Sequence, residues 1–163
     1  MPDLLAFCKW LEQTSIGSAV RESLWLFPAI ETVHLLGMAL LVGTITVLDL
    51  RLLGCAMHRQ RFSELSGRLL PWAWVGFAVQ VLTGVVLFSS EAVKVYTNPA
   101  FRLKLFLILL AGAHALIFHW AVSRDVAKWD DSPATPVKAK ISGFVSLFIW
   151  VGIVAAGRFI GFS

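Results

Sequence analysis

Charge is scarce in this chain. Only 15% of its 163 residues are Asp, Glu, Lys or Arg, against 58% hydrophobic residues. Soluble domains carry about a quarter charged residues, so the composition, with a mean hydropathy of +0.77, argues for an integral membrane protein. Cysteine is rarer still. Cys8 and Cys55 stand on either side of the first apolar run, so a disulfide would have to join opposite membrane faces. No Cys-x-x-Cys or Cys-x-x-Cys-His unit marks a redox pair or a covalent haem attachment, and both residues read as free thiols. The N-terminus lacks a basic segment, a short apolar run and a small-residue cleavage site, so the mature chain is expected to begin at Met1 or Pro2. Nucleotide-binding loops, a nucleophile elbow and a recognisable Ser/His/Asp set are also missing. The net charge of +4 does not imply nucleic acid, because the cations lie between apolar runs, where they act as topology determinants.

What the chain has is four apolar runs, at about 25–48, 69–90, 101–122 and 141–161. Each is near the roughly 20 residues that a helix needs to cross a bilayer. Residues 3–14 place Leu4, Phe7, Cys8 and Leu11 at helical spacing. That segment is too short to span and reads as an amphipathic helix on the membrane surface, or as a cap on the bundle. Thr14 to Ser23 reads as a polar connector, and Arg124 to Lys140 as a polar loop containing Pro133 and Pro136. Short connections make neighbours antiparallel, so the expected fold is all-α: a single-domain four-helix membrane bundle. Gly76, Gly84, Ala111, Gly112, Gly152 and Ala156 offer small surfaces for close helix packing. Trp25, Trp72, Trp74, Trp120 and Trp129 fall near span ends, as interfacial tryptophans do.

Orientation follows from Lys and Arg. The connections after the first and third spans hold Arg51, Arg59, Arg61, Arg68, Arg124, Lys128, Lys138 and Lys140. The other side holds Lys9, Arg21, Lys94 and Arg102. This predicts both termini outside and the basic loops in the cytoplasm.

Ionisable groups inside the spans are costly and mark functional sites by default. Glu31 and His34 lie one turn apart on the first span, followed by Met38. Lys104, His114 and His119 lie on the third, Gln80 and Thr83 on the second, and Arg158 on the fourth. At 1.5 Å per residue, His34 lies at about 13 Å and His114 at about 20 Å from the outer surface. Two imidazoles on facing helices at similar depth suit a six-coordinate haem b. His34 and His114 are therefore the expected axial ligands, with His119 or Met38 as alternative partners. Lys104, Arg102 and Arg158 would meet the propionates, Glu31 would orient His34, and Gly37 and Gly112 would leave space for the macrocycle. The alternative is a structural histidine that hydrogen-bonds to Glu31 or Gln80. Glu31-x-x-His34 has di-iron spacing, but no second such unit occurs. His58, in the basic loop, reads as solvated.

The run from Pro28 to Gly43, with Asn98-Pro99 through Lys104, His114 and Phe118-His119, resembles an uncharacterised family of small bacterial four-span proteins over nearly the whole chain. More distantly it is similar to CopD-type copper-resistance domains and to membrane-bound, haem-containing protoporphyrinogen oxidases. Those carry an early-span His and a Lys opening a later span, positions that His34 and Lys104 match. Leu48-Asp49-Leu50-Arg51 stands where the oxidases close their first span with an aromatic and Pro-Arg motif. The resemblance implies haem b and a redox role, with a quinone or membrane redox partner. Porphyrinogen oxidation and a cofactor-free or copper-handling accessory role are the alternatives, and a homo-oligomer is compatible with each.

Overall fold

The computed structural model describes residues 2–57, 59–121, 126–130 and 135–161. Those residues are helical apart from short connections, in the order α1 (Pro2–Glu12), α2 (Ser15–Glu22), α3 (Leu26–Leu53), α4 (Phe62–Ser90), α5 (Ala92–Thr97), α6 (Pro99–Ala121), α7 (Val126–Trp129) and α8 (Val137–Ile160). α3, α4, α6 and α8 are long and apolar enough to cross a bilayer. Their outward faces carry residues such as Leu82, Leu109 and Phe148, which are 69%, 74% and 75% exposed. A continuous apolar exterior of this kind belongs in lipid, not water. His58, Arg124 and Pro133 lie outside the described residues.

Going round the bundle, the order is α4, α3, α8, α6. α3 packs along both α4 and α8, and α6 packs along α8. α4 and α6 meet through aromatic rings near their ends, Phe88 stacked on Phe101 at 5.4 Å and Phe62 edge-on to Phe118 at 5.9 Å. The α3–α4 crossing is set by glycine. A methyl group at Gly76 would sit 2.8 Å from the Leu41 nitrogen, and one at Gly37 would sit 2.6 Å from Val79 Cγ1. Small residues let two backbones approach to this distance, which is how helices associate without a hydrophobic drive between them. On α8 the buried stripe Ala139, Gly143, Ser146, Ile149, Ile153 and Ala156 repeats at three- and four-residue steps, as a helix–helix seam must. α6 has no buried residue. Its half-buried positions, Phe101, Lys104, Leu107, Ala111, His114 and Phe118, form one narrow inward stripe.

The bundle has two unlike ends. At the loop end, where α3 connects to α4 and α6 to α8, Leu48, Leu52, Phe62, Leu65, Trp129 and Ala139 make the hydrophobic cluster. Gly54, at φ 76°, ends α3 in the left-handed conformation that glycine adopts freely. At the terminal end, α1 and α2 cap the bundle. Cys8 and Val20 are 2% and 4% exposed there, and Glu12 Oε1 accepts from the Val93 backbone N–H at 2.9 Å, at the start of α5. Leu4, Phe7 and Trp10 remain exposed on α1, so its outer face keeps the apolar character of a surface helix.

Several sequence expectations change here. The expected connector at 14–23 is largely helical, because Thr14 acts as an N-cap and accepts from the Gly17 N–H at 3.2 Å. The second span starts at Phe62, seven positions before the apolar run, since Phe62 and Leu65 belong to the loop-end cluster. Trp129 is 7% exposed and part of that cluster, not an interfacial residue. Arg51 is no loop cation. It is 1% exposed, with Nε donating to Gln60 O at 2.7 Å and Nη1 to Thr135 Oγ1 at 3.2 Å.

Candidate functional site

His34 sits on α3 where α4 brings Gln80, Thr83 and Gly84 against it. The Gln80 side-chain amide donates to the His34 carbonyl. His34 Nδ1 lies 2.7 Å from Thr83 Oγ1, and a methyl group at Gly84 would sit 3.4 Å from His34 Cε1. The Thr83 hydroxyl also lies 2.6 Å from Val79 O. A hydroxyl has one proton, and a carbonyl can only accept, so that proton goes to Val79. Nδ1 must then be the donor toward Thr83. In the neutral ring this puts the proton on Nδ1 and leaves Nε2 deprotonated, with no hydrogen-bond partner among the described residues.

Lys104 is the cation whose field reaches this ring. Its stem runs along α8, where a methyl group at Gly157 would sit 3.5 Å from Nζ and 3.7 Å from Cε. The glycine thus makes room for a half-buried lysine on the inward stripe of α6. Together, His34, Thr83, Gly84, Lys104 and Gly157 bring all four long helices to one level near the terminal end.

The other expected residues are placed elsewhere. His114 is half-buried, and its Nε2 lies 3.0 Å from Ser142 Oγ. Ser142 precedes Gly143, where a methyl group would sit 3.0 Å from Asp49 O. His114 therefore stands near the level of Asp49, whereas His34 is fifteen positions earlier on α3 (49 − 34), about 22 Å along the axis at 1.5 Å per residue. A second register mark agrees: a methyl group at Gly152 would sit 3.1 Å from Leu107 Cδ1, which puts His114 far below His34. The similar depths expected from sequence assumed that α3 and α6 begin at one level. Instead α3 overhangs α6 at the terminal end, where α2 packs against it. His34 and His114 do not face one site, and His119, still closer to the loop end and exposed, is farther away. Met38 follows His34 by one turn on the same helix and is half-buried.

Glu31 is exposed, and it is Thr83, not Glu31, that orients the His34 ring. Arg158 is exposed and lines a cleft of about 410 Å³ between α3 and α8, with Val42, Thr46, Trp150 and Val154. Arg102 lies over the Tyr96 ring at 5.3 Å. Gly37 is filled by Val79, and Gly112 opens outward with nothing within 4 Å, so neither leaves space for a macrocycle in the bundle. A bis-histidine haem does not fit these positions. The donors that remain for a single-histidine site are His34 and, nearby, Lys104. Among the described residues no group of three or more His, Cys, Asp or Glu gathers as a metal cluster.

Sequence reasoning passed over Asp49, taken as the residue closing the first span. It is 5% exposed, and its Oδ2 has no hydrogen-bond partner among the described residues. The signal was its place inside the helix, one turn before Gly54, which is the true C-cap.

No curated protein and no solved structure matches the chain. A family profile does match, over residues 7–163, and the chain belongs to that family, a family of unknown function designated DUF6644.

Proposed function

We propose that the protein is a small redox protein of the bacterial inner membrane in which the His34 imidazole, at the terminal end of the bundle, would hold haem b. The observation that carries this reading is the His34 tautomer. Thr83 Oγ1, whose own proton goes to Val79 O, accepts a hydrogen bond from Nδ1–H of the neutral ring and so leaves the Nε2 lone pair free, which is how proteins prepare histidine for iron. Lys104, held against Gly157, supplies the cation for a propionate. Haem bound there would supply one-electron chemistry. The chain's part is to fix the ring, present the cation and surround both with lipid-facing helices. His114, bound to Ser142 at the other end, has no part in this site.

The loop end carries Arg59, Arg61, Arg68, Lys128, Lys138 and Lys140, and the terminal end Lys9, Arg21, Lys94 and Arg102. The positive-inside rule therefore favours a cytoplasmic loop end and outside termini, with a quinone or membrane redox protein as electron partner. The same two polar contacts to α4 also support a rival reading, a cofactor-free clamp of α3 on α4.

The absorption spectrum of the purified protein separates them. Detergent-solubilised protein from haem-sufficient cells is expected to show a Soret band that His34→Ala abolishes and His114→Ala leaves intact. A colourless wild-type protein, or equal loss in His114→Ala, would overturn the assignment.

A further inference from the structure

Asp49 turns its carboxyl into the seam between α3 and α8. It is 5% exposed, as deeply buried as Leu48 and Leu52. Gly143 packs on its carbonyl oxygen, and Ser146, itself 8% exposed, meets one carboxyl oxygen with its hydroxyl. The other oxygen, Oδ2, has no partner among the described residues.

Among the described residues no cation pairs with it. Arg51, the nearest in sequence, directs Nε to Gln60 O and Nη1 to Thr135 Oγ1. On α8, Lys138 and Lys140 are exposed, as are Glu64 and Arg68 on α4. On α6, the His114 ring is engaged by Ser142. A bare carboxylate removed from water and left unpaired is far more costly than a neutral acid. Such a group therefore carries either a proton or a bound metal cation. A metal ion beside Oδ2 would need several oxygen ligands around it, and among the described residues Ser146 is the one side chain that meets this carboxyl.

We propose that Asp49 is a proton-binding site of the bundle, holding its proton on Oδ2 and exchanging it with the aqueous phase at the loop end. α3 ends at Leu53, four positions on and about 6 Å along the axis, so that phase is close. The proposal does not depend on the reading at His34.

Infrared spectroscopy of the full-length protein in detergent, produced with isotope-labelled aspartate, tests it. At neutral pH an aspartic acid carbonyl stretch is expected, shifted by the label and again by deuterium exchange, and absent from Asp49→Asn. Asn keeps the shape and neutrality of the protonated acid, so this variant is also expected to unfold at the wild-type denaturant concentration. As a second readout, dicyclohexylcarbodiimide adds across a protonated carboxyl. The acid proton goes to nitrogen, the carboxylate oxygen attacks carbon, and rearrangement leaves an N-acylurea with no group lost. Peptide mapping is expected to find this adduct at Asp49 and not at Glu31 or Glu64. Absence of the protonated-acid band would overturn the proposal, whether or not the reagent reaches the site. So would a band retained in Asp49→Asn, or stabilisation of wild-type protein by sodium that Asp49→Asn loses, which would identify a metal-cation site.

Discussion

A close backbone approach of α3 and α4, on the same helices that bring Thr83 and Gln80 to His34, is at Gly76. Changing Gly76 to Ala puts a methyl group 2.8 Å from the Leu41 nitrogen, 3.0 Å from Gly37 O and 3.0 Å from Leu41 Cβ. Non-bonded contacts settle at about 3.5–4.0 Å, so roughly 0.7 Å must be found. Two of the three atoms are α3 backbone, which no side-chain rotation can move aside, so the helices must separate. Overpacking of this kind costs about 1–3 kcal/mol, and the helix propensity of alanine over glycine returns about 1 kcal/mol. The net expectation is a loss of up to about 2 kcal/mol. Thr83 and Gln80 follow on the same helix, so the 2.7 Å Nδ1 contact to His34 lengthens with it. Gly43→Ala is the control, since a methyl group there meets nothing within 4 Å. Reversible unfolding in mixed micelles of rising dodecyl sulfate content should rank Gly76→Ala below wild type and Gly43→Ala at or above it. Equal midpoints for the two variants would refute the account of the α3–α4 crossing.

Thr83→Val leaves the His34 Nδ1–H unpaired, which is expected to cost about 1–3 kcal/mol in the same unfolding assay and to weaken haem binding about 10–100-fold; Thr83→Ser should restore both. At the loop end, Asp130 caps α4 from outside the helix, with Oδ1 accepting the Ser63 backbone N–H at 3.1 Å and Oδ2 accepting from the Ser63 hydroxyl. Burial alone would raise the Asp130 carboxyl, but these Ser63 hydrogen bonds, with Arg61 nearby, outweigh it and hold it below its ordinary value. A depressed folded value means the cap is fully present above the usual carboxylate range and is lost as pH falls through the lower folded value. Asp130→Asn should therefore cost about 0.5–2 kcal/mol at neutral pH and show a smaller loss of stability on acidification than wild type. An identical acid profile in both proteins would remove Asp130 from that role.

The four spans were legible because hydropathy over a long window is a property of the sequence itself. Helix ends were less so, since they depend on what caps them. Thr14 and Ser15 look like a linker until they are seen as an N-cap and first turn. Phe62-Ser-Glu-Leu looks like loop because its two apolar residues alternate with polar ones, yet Phe62 and Leu65 are 6% and 7% exposed against Trp129. Arg51 shows the same limit more sharply. Nothing local distinguishes a topology-setting arginine from one that is 1% exposed and bonded to Gln60 and Thr135, because those acceptors arrive from two other connections.

For the site, the sequence told residue type and helix, but depth requires register between helices, and register is a tertiary quantity. Counting each span from its own start placed His34 and His114 about 6 Å apart in depth. The glycine contacts of α8 with Asp49 and Leu107 instead fix α3 and α6 with their loop ends aligned, so the longer α3 carries His34 away from His114. That one shift separates the polar groups into two sets with different chemistry. Near the terminal end are an imidazole with a free lone pair and a lysine. Near the loop end are a second imidazole held by Ser142 and, at its level, a carboxyl with an open oxygen. The proposed haem at His34 and the proposed proton at Asp49, about 20 Å apart along the axis, would give the bundle the components to couple reduction at one end to proton uptake at the other. The independence of the two readouts makes that coupling testable: if it exists, Asp49→Asn shifts the pH dependence of the His34 site's redox midpoint while leaving its spectrum unchanged.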